Sequence, residues 1–281
     1  MGRRDEERIA AAERRRDLTR FDKRNSGLHD WQGCGRAIRR GDRGSATEVL
    51  TQRVWCRRKW LCAICGYRAA LRERRRLERR ARLWTERGGS SALLSLSLKH
   101  DLDDDLAAQW GHLDQGWATM QRGRTWTTAR QSFGIAAYMC VTEVVHSPST
   151  GWNPHFHVLL FLDDDLEPHE LEGLRLPLAE RFAQGVISSG GQAEAKCQDL
   201  RPVRSGSEQH IAEYLTKATT EYSDDGSRSP LAILGTLHDT RQDFALWQEF
   251  NSAISARSRR RQIFYSKNID AILSGHTLGE K

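Results

Sequence analysis

Two histidines one residue apart stand in the run Pro154-His155-Phe156-His157-Val158-Leu159-Leu160-Phe161 of this 281-residue chain. The run is rich in apolar residues and reads as a β-strand, so both imidazoles emerge on one face and Phe156, Val158 and Leu160 on the other. Two adjacent imidazoles can chelate a divalent cation, and a carboxylate from a neighbouring strand would complete a facial set. Glu143, in the preceding β-rich stretch 135–145, is the first candidate for that third ligand. His100, Asp101 and His146 also lie near strand ends.

A second group has a different chemistry. Cys56, Cys62 and Cys65 follow a C-x5-C-x2-C spacing, with Cys34 upstream. Four thiolates close a tetrahedral zinc shell, and the C-x-x-C pair supplies two ligands from one turn. A redox pair of the thioredoxin kind would need a surrounding βαβ unit, which the segment lacks. His29 is the alternative fourth ligand. Cys140 and Cys197 fall in apolar stretches and are expected in the core.

A third group is helical. Over residues 207–220, a spacing of about 100° per residue gathers His210, Glu213, Tyr214 and Lys217 in one polar sector, while Ile211, Leu215 and Ala218 form an apolar one. Downstream of a metal site, Tyr214 can serve as a nucleophile towards phosphate, with Lys217 one turn later to stabilise negative charge.

These groups need a scaffold. Residues 92–98 alternate Leu94, Leu96 and Leu98 with Ser95 and Ser97, as in a half-buried strand. Three aspartates, 103–105, precede a helix whose core stripe is Leu106, Trp110, Leu113, Trp117 and Met120. Two strands follow, then a helix marked by Leu171, Leu174, Leu178 and Phe182 and disturbed by Pro177, then a fourth strand at 193–200. Strand, helix, strand, strand, helix, strand is the ferredoxin-like order of an α+β fold, with an antiparallel sheet whose third strand lies between the first and second. Residues 1–27 read as a basic arm, 28–88 as a cysteine-rich zinc element with a basic helix at 67–87, 89–222 as the catalytic unit, and 223–281 as a helical, basic extension.

Composition narrows the partners. The formal charge is +7, from 44 Lys and Arg against 37 Asp and Glu. Between positions 66 and 87 nine Arg face three Glu, and further Arg clusters lie in the first twenty residues and at Arg257, Arg259, Arg260 and Arg261. Such clusters favour a polyanion, nucleic acid above all, with Arg75, Arg76, Arg79 and Arg80 as its contacts. No stretch is apolar enough to span a membrane and the N-terminus has no apolar run, so a cytoplasmic protein with reduced cysteines is expected.

Together these residues resemble the HUH endonuclease superfamily, and within it the rolling-circle replication initiators of actinobacterial plasmids. A first motif is Leu94-Ser95-Leu96-Ser97-Leu98-Lys99-His100-Asp101, with serines where threonines are usual. The second is Gly151-Trp152-Asn153-Pro154-His155-Phe156-His157-Val158, and the third is Tyr214-Leu215-Thr216-Lys217; the cysteine spacing and Trp247-Gln248-Glu249-Phe250 are similar too. The resemblance implies that Tyr214 cuts one strand at an origin, leaving a 5′-phosphotyrosine and a 3′-hydroxyl primer. Mg2+ or Mn2+ would sit on His155, His157 and Glu143, and Zn2+ on Cys34, Cys56, Cys62 and Cys65. Glu213 or His210 would activate the water that ends a round, since Tyr222 lies off the face of Tyr214. Trp152 and Phe156 are expected near the mouth of the site or in its support. The implied partners are single-stranded or hairpin origin DNA and a host helicase and polymerase. A transposase of the same superfamily would share the nicking but act on element ends. A non-enzymatic zinc protein would bind nucleic acid without cutting it.

Overall fold

In a computed structural model of the chain, the described residues are 34, 37–40, 50–53, 55–217, 226–236, 241–256 and 260–274. A small hairpin, β1 (Ala37–Arg40) and β2 (Leu50–Arg53), precedes helix α1 (Ala63–Thr85). Then come β3 (Ser90–Leu96), α2 (Leu106–Met120), α3 (Arg124–Ser132), β4 (Ile135–Ser147), β5 (Gly151–Leu162) and α4 (Pro168–Ser188). The chain continues through β6 (Asp199–Val203), α5 (Glu208–Lys217), α6 (Pro230–Gly235), α7 (Arg241–Ala256), β7 (Ile263–Tyr265) and α8 (Ile269–Ser274). Among the described residues no helix is long and apolar enough to cross a membrane.

The main sheet is antiparallel, in the order β6-β3-β5-β4-β7. β5 therefore lies between β3 and β4, the expected place for the third strand, and β7 adds an edge that the sequence does not announce. Local chemistry explains the main elements. Ala92, Leu94 and Leu96 of β3 are fully buried and Ser95 faces the other way, the period-2 pattern of a strand. α2 starts where the Asp105 carboxylate accepts the Ala108 N–H at 2.7 Å, and its whole predicted stripe is buried. α4 opens with a capping box between Glu167 and Glu170. Pro177 lies inside α4 without ending it: the carbonyl it cannot satisfy belongs to Gly173, which is exposed and can bond water.

Helices cover both faces of the sheet. Leu94, Leu96, Phe156, Val158 and Leu160 pack with the stripe of α2, with α4 and with Trp247 and Phe250 of α7. Met139, Val141, Leu159 and Phe161 pack on the opposite side with Leu77, Ala81 and Trp84 of α1, Ala212 and Leu215 of α5, and α8. The cysteine element is built into the first of these cores. Cys34, Cys62 and Cys65 belong to it, and Trp60 meets Trp110 at 5.2 Å and Phe250 at 6.1 Å between ring centres.

Two expectations need correction. The fourth strand is β6 rather than 193–200, whose middle is a 3-10 turn at Ala195–Cys197. The buried Gln198 side chain takes the N–H of Ser97 at 2.8 Å and donates to the carbonyls of Ser97 and Glu194, so strand pairing begins only at Asp199. Cys197, on that turn, is exposed rather than in the core, whereas Cys140 is fully buried.

Candidate functional site

The register of three strands assembles the histidine site. Glu143 of β4 is paired with His155 of β5, and His157 is flanked by Val141 on β4 and Ser95 on β3. Residues paired across antiparallel strands share a face, so Ser95, Glu143, His155 and His157 all project towards α1 and α5. Leu159 and Phe161, further along the same face of β5, close the site from below with apolar packing.

Both imidazoles turn their Nε2 atoms to one oxygen, Glu143 Oε2, at 3.1 Å from His155 and 3.0 Å from His157. Their other nitrogens are tied back, His155 Nδ1 to the Asn153 carbonyl at 3.1 Å and His157 Nδ1 to Ser95 Oγ at 3.1 Å. A carbonyl only accepts, so His155 Nδ1 carries a hydrogen and its neutral ring points a lone pair at a carboxylate. Two lone pairs facing each other at this distance call for a proton or a cation between them. Burial alone would lift the Glu143 carboxyl, but hydrogen bonds from both histidines hold it well below the carboxylate range. Burial likewise opposes charge on His155, yet contact with Glu143 more than offsets it and raises its pKa; for His157 burial prevails and the pKa falls. One carboxylate oxygen and two oriented imidazoles within 4.8 Å of one another suit a divalent cation.

Of the possible third ligands, only Glu143 joins this group. His146 is buried on the opposite face of the sheet, 4.9 Å from the Trp152 ring, and His100 bonds the Thr150 carbonyl. Asp101 is also outside the cluster.

α5 brings the tyrosine. Ala212 and Leu215 are fully buried against the sheet, which leaves Tyr214 half-exposed above the histidines. Its hydroxyl is 3.5 Å from His157 Nε2, and the two rings meet edge-on with centres 5.2 Å apart. Burial first, and then the negative charge of Glu143, push its pKa up; Arg201 on β6 acts the other way. Glu213 takes a different direction from the one expected, forming an ion pair with Arg74 of α1 and accepting from Gln209 at 3.3 Å. His210 is exposed. Lys217 ends α5, and its side chain lies outside the described residues, as do Ala218, Tyr222 and His29.

The four expected cysteines form a second cluster. Sγ of Cys65 lies 3.4 Å from that of Cys34 and 3.6 Å from that of Cys56, and Cys62 lies 3.6 Å from Cys34. The edge of a tetrahedron with 2.3 Å zinc–sulfur bonds is about 3.8 Å, so the spacing fits the ion. Hydrogen bonds from Cys56 and Cys62 hold the Cys65 thiol far below its ordinary range, a negative centre suited to a cation. Two backbone features shape this knuckle. A Cβ on Gly66 would sit 2.7 Å from the Lys59 carbonyl oxygen, and Arg57 adopts a left-handed φ of 60°.

The arginines chosen from the sequence divide in two. Arg75 and Arg79 are exposed, and Arg76 pairs with Glu73 at 3.4 Å. Arg80 is instead buried, with two bonds to Asp270 of α8 at 2.9 and 3.0 Å and its guanidinium over the Tyr265 ring. It ties the C-terminal helix to α1 and is not placed to meet DNA. Of the two places expected for Trp152 and Phe156, the structure puts both in the core that supports the sheet; Trp152 stacks on Phe250 and donates to Glu249. Sequence reasoning missed Ser95 and the Asn153 carbonyl, although the alternation of β3 already puts Ser95 on a polar face.

Residues 47–167 match a family model described as replication protein. A relative called Protein rep, from Streptomyces lividans, is 26% identical over 147 residues, which is 42% of this chain and 32% of that protein. No solved structure matches. The chain is thus similar, over part of its length, to replication proteins. The matched segment holds three of the four cysteines, Glu143 and both histidines, and it ends before Tyr214.

Proposed function

Starting from this resemblance, we propose that the chain is an HUH-type plasmid rolling-circle initiator that nicks one origin strand with Tyr214. The observation that carries the reading is the Tyr214 hydroxyl 3.5 Å from His157, above the convergent Glu143, His155 and His157.

Mg2+ or Mn2+ on those three residues would neutralise charge on the scissile phosphate and on the departing 3′ oxygen. The chain's own residues do the rest. Ser95 and the Asn153 carbonyl keep the imidazoles in register, and the apolar floor of Leu159 and Phe161 excludes water from below. Tyr214 Oη forms a bond to phosphorus while the bond from phosphorus to the 3′ oxygen breaks. The phenolic proton passes to solvent, which the half-exposed ring allows, and the leaving oxygen takes up a proton to become the 3′-hydroxyl that a host polymerase extends. Because burial raises the Tyr214 pKa, positive charge must favour the phenolate; Lys217, one turn on, supplies part of it. With Glu213 tied to Arg74, His210 takes the part of activating the water that ends a round. Cys34, Cys56, Cys62 and Cys65 would hold Zn2+, which would brace the core beside Trp60. A narrow polar face over the sheet suits a single strand or a hairpin loop, whose phosphates can approach individually.

The test uses labelled single-stranded origin DNA and Mn2+, run on a denaturing gel beside a protein gel. Wild type should cut and carry label; Tyr214→Phe, which loses one hydroxyl, should do neither while keeping its DNA affinity and zinc. Cutting by Tyr214→Phe at the wild-type rate would overturn the assignment.

A further inference from the structure

The basic helix and the cysteine knuckle form one surface. Arg68, Arg72, Arg75, Arg79 and Arg82 are all exposed on α1. At 100° per residue they fall within an arc of about 80°, a stripe about 21 Å long. At its N-terminal end the stripe runs onto the knuckle, where the Arg68 guanidinium lies 3.8 Å from the centre of the Trp55 ring. Beyond Trp55 come Arg57, Arg58 and Lys59, three consecutive exposed cations.

The two ends of the stripe differ in charge balance. Towards the C-terminal end carboxylates intervene: Glu73 and Glu78 lie on α1 itself and Glu86 caps it, and Arg82 pairs with Glu86 at 3.8 Å. From position 55 to 72 there are five cations and no Asp or Glu, so this segment adds only positive charge to the stripe. Its backbone holds the cations outward. Arg57 takes its left-handed φ where its N–H is directed to the Cys65 thiol, and the Arg58 N–H is directed to Cys56.

The knuckle also lies along the helix from the tyrosine site. Arg74 pairs with Glu213, the neighbour of Tyr214, and Arg68 lies about 9 Å further towards the start of α1.

We infer that Arg57, Arg58 and Lys59 on the cysteine knuckle, continued by Arg68 and Arg72, bind the backbone phosphates of DNA flanking the cleavage point. The inference rests on the nicking reading for its choice of polyanion. The cysteine cluster thus has a second role, as the frame of a phosphate-binding surface that reads no bases.

Binding is measured by fluorescence anisotropy in the Tyr214→Phe background, so cleavage does not intervene. Two single-stranded probes are used, one spanning the cleavage point with flanks as long as α1 (about 35 Å) and one limited to the cleavage point. Arg57→Asn, Arg58→Gln and Lys59→Gln are combined, Asn being chosen because it tolerates a left-handed φ. On the long probe the slope of log K against log salt should become shallower by about 2, since each lost single-strand contact removes about 0.7. On the short probe affinity and slope should match the parent, and zinc content should not change. An unchanged slope on the long probe, or an equal loss on both probes, overturns the inference. If the triple variant loses zinc, Lys59→Gln alone should shift the long-probe slope by about 0.7, and no shift refutes the proposal. Failure of the nicking reading shows separately, as wild-type protein that binds both probes but cuts neither.

Discussion

Replacing Ser95 by Ala removes the hydroxyl that meets His157 Nδ1 at 3.1 Å. For His157 to offer Nε2 to a cation, Nδ1 must carry the hydrogen and donate it to Ser95 Oγ. His157 is 6% exposed, so the orphaned N–H finds little water. Leaving a buried donor without a partner costs about 1–3 kcal/mol. The ring also gains freedom to turn its Nε2 away from Glu143. Loss of such an outer partner weakens metal affinity by about 10–100-fold, or about 1.4–2.8 kcal/mol, within the same range. Ser95→Thr keeps the hydroxyl and adds a methyl that a strand accommodates, so it should bind nearly as well as wild type. The assay is calorimetric titration of Mn2+ into full-length protein, with zinc measured in parallel to show that the cysteine site is untouched. Cleavage by Ser95→Ala should need correspondingly more Mn2+ and recover much of its rate at saturation. Wild-type Mn2+ affinity in Ser95→Ala, or an equal fall in Ser95→Thr, would refute the reasoning.

Arg80→Gln should lower stability by about 1–2 kcal/mol, because a buried guanidinium loses two charged hydrogen bonds to a largely exposed partner. A Tm lower by about 2–6 °C with an unchanged salt dependence of DNA binding would separate it from the stripe arginines; a flattened salt slope would contradict its structural role. The histidine site also predicts a pH dependence. In chelator-treated protein the raised pKa of His155 contributes stability that is present below its unfolded value of about 6.5 and lost as pH rises through the raised one. A cation requires the deprotonated ring, so the gain in Tm on adding Mn2+ should widen as pH rises through that window. A gain that shrinks with rising pH would argue against His155 as a ligand.

Features legible in the sequence are those that backbone geometry repeats locally. The period of a strand puts His155 and His157 on one face wherever β5 lies, and a period near 3.6 marks the buried stripe of α2. The spacing of Cys56, Cys62 and Cys65 likewise needs little more than one turn to close. Partners set by pairing or by distant residues had to wait for the tertiary structure. Glu143 became the third member because a tight turn between β4 and β5 fixes it opposite His155, whereas His146, three residues on, falls on the other face. The helical wheel groups Glu213 with Tyr214, but α1 alongside supplies Arg74 and draws the carboxylate away. Arg80 is indistinguishable from Arg79 in sequence; Asp270, 190 residues later, makes one structural while the other stays on the surface. Residue type and local period thus determine which side chains share a face. Register and long-range packing decide which of them meet, because those contacts are chosen by segments that no short window of sequence contains.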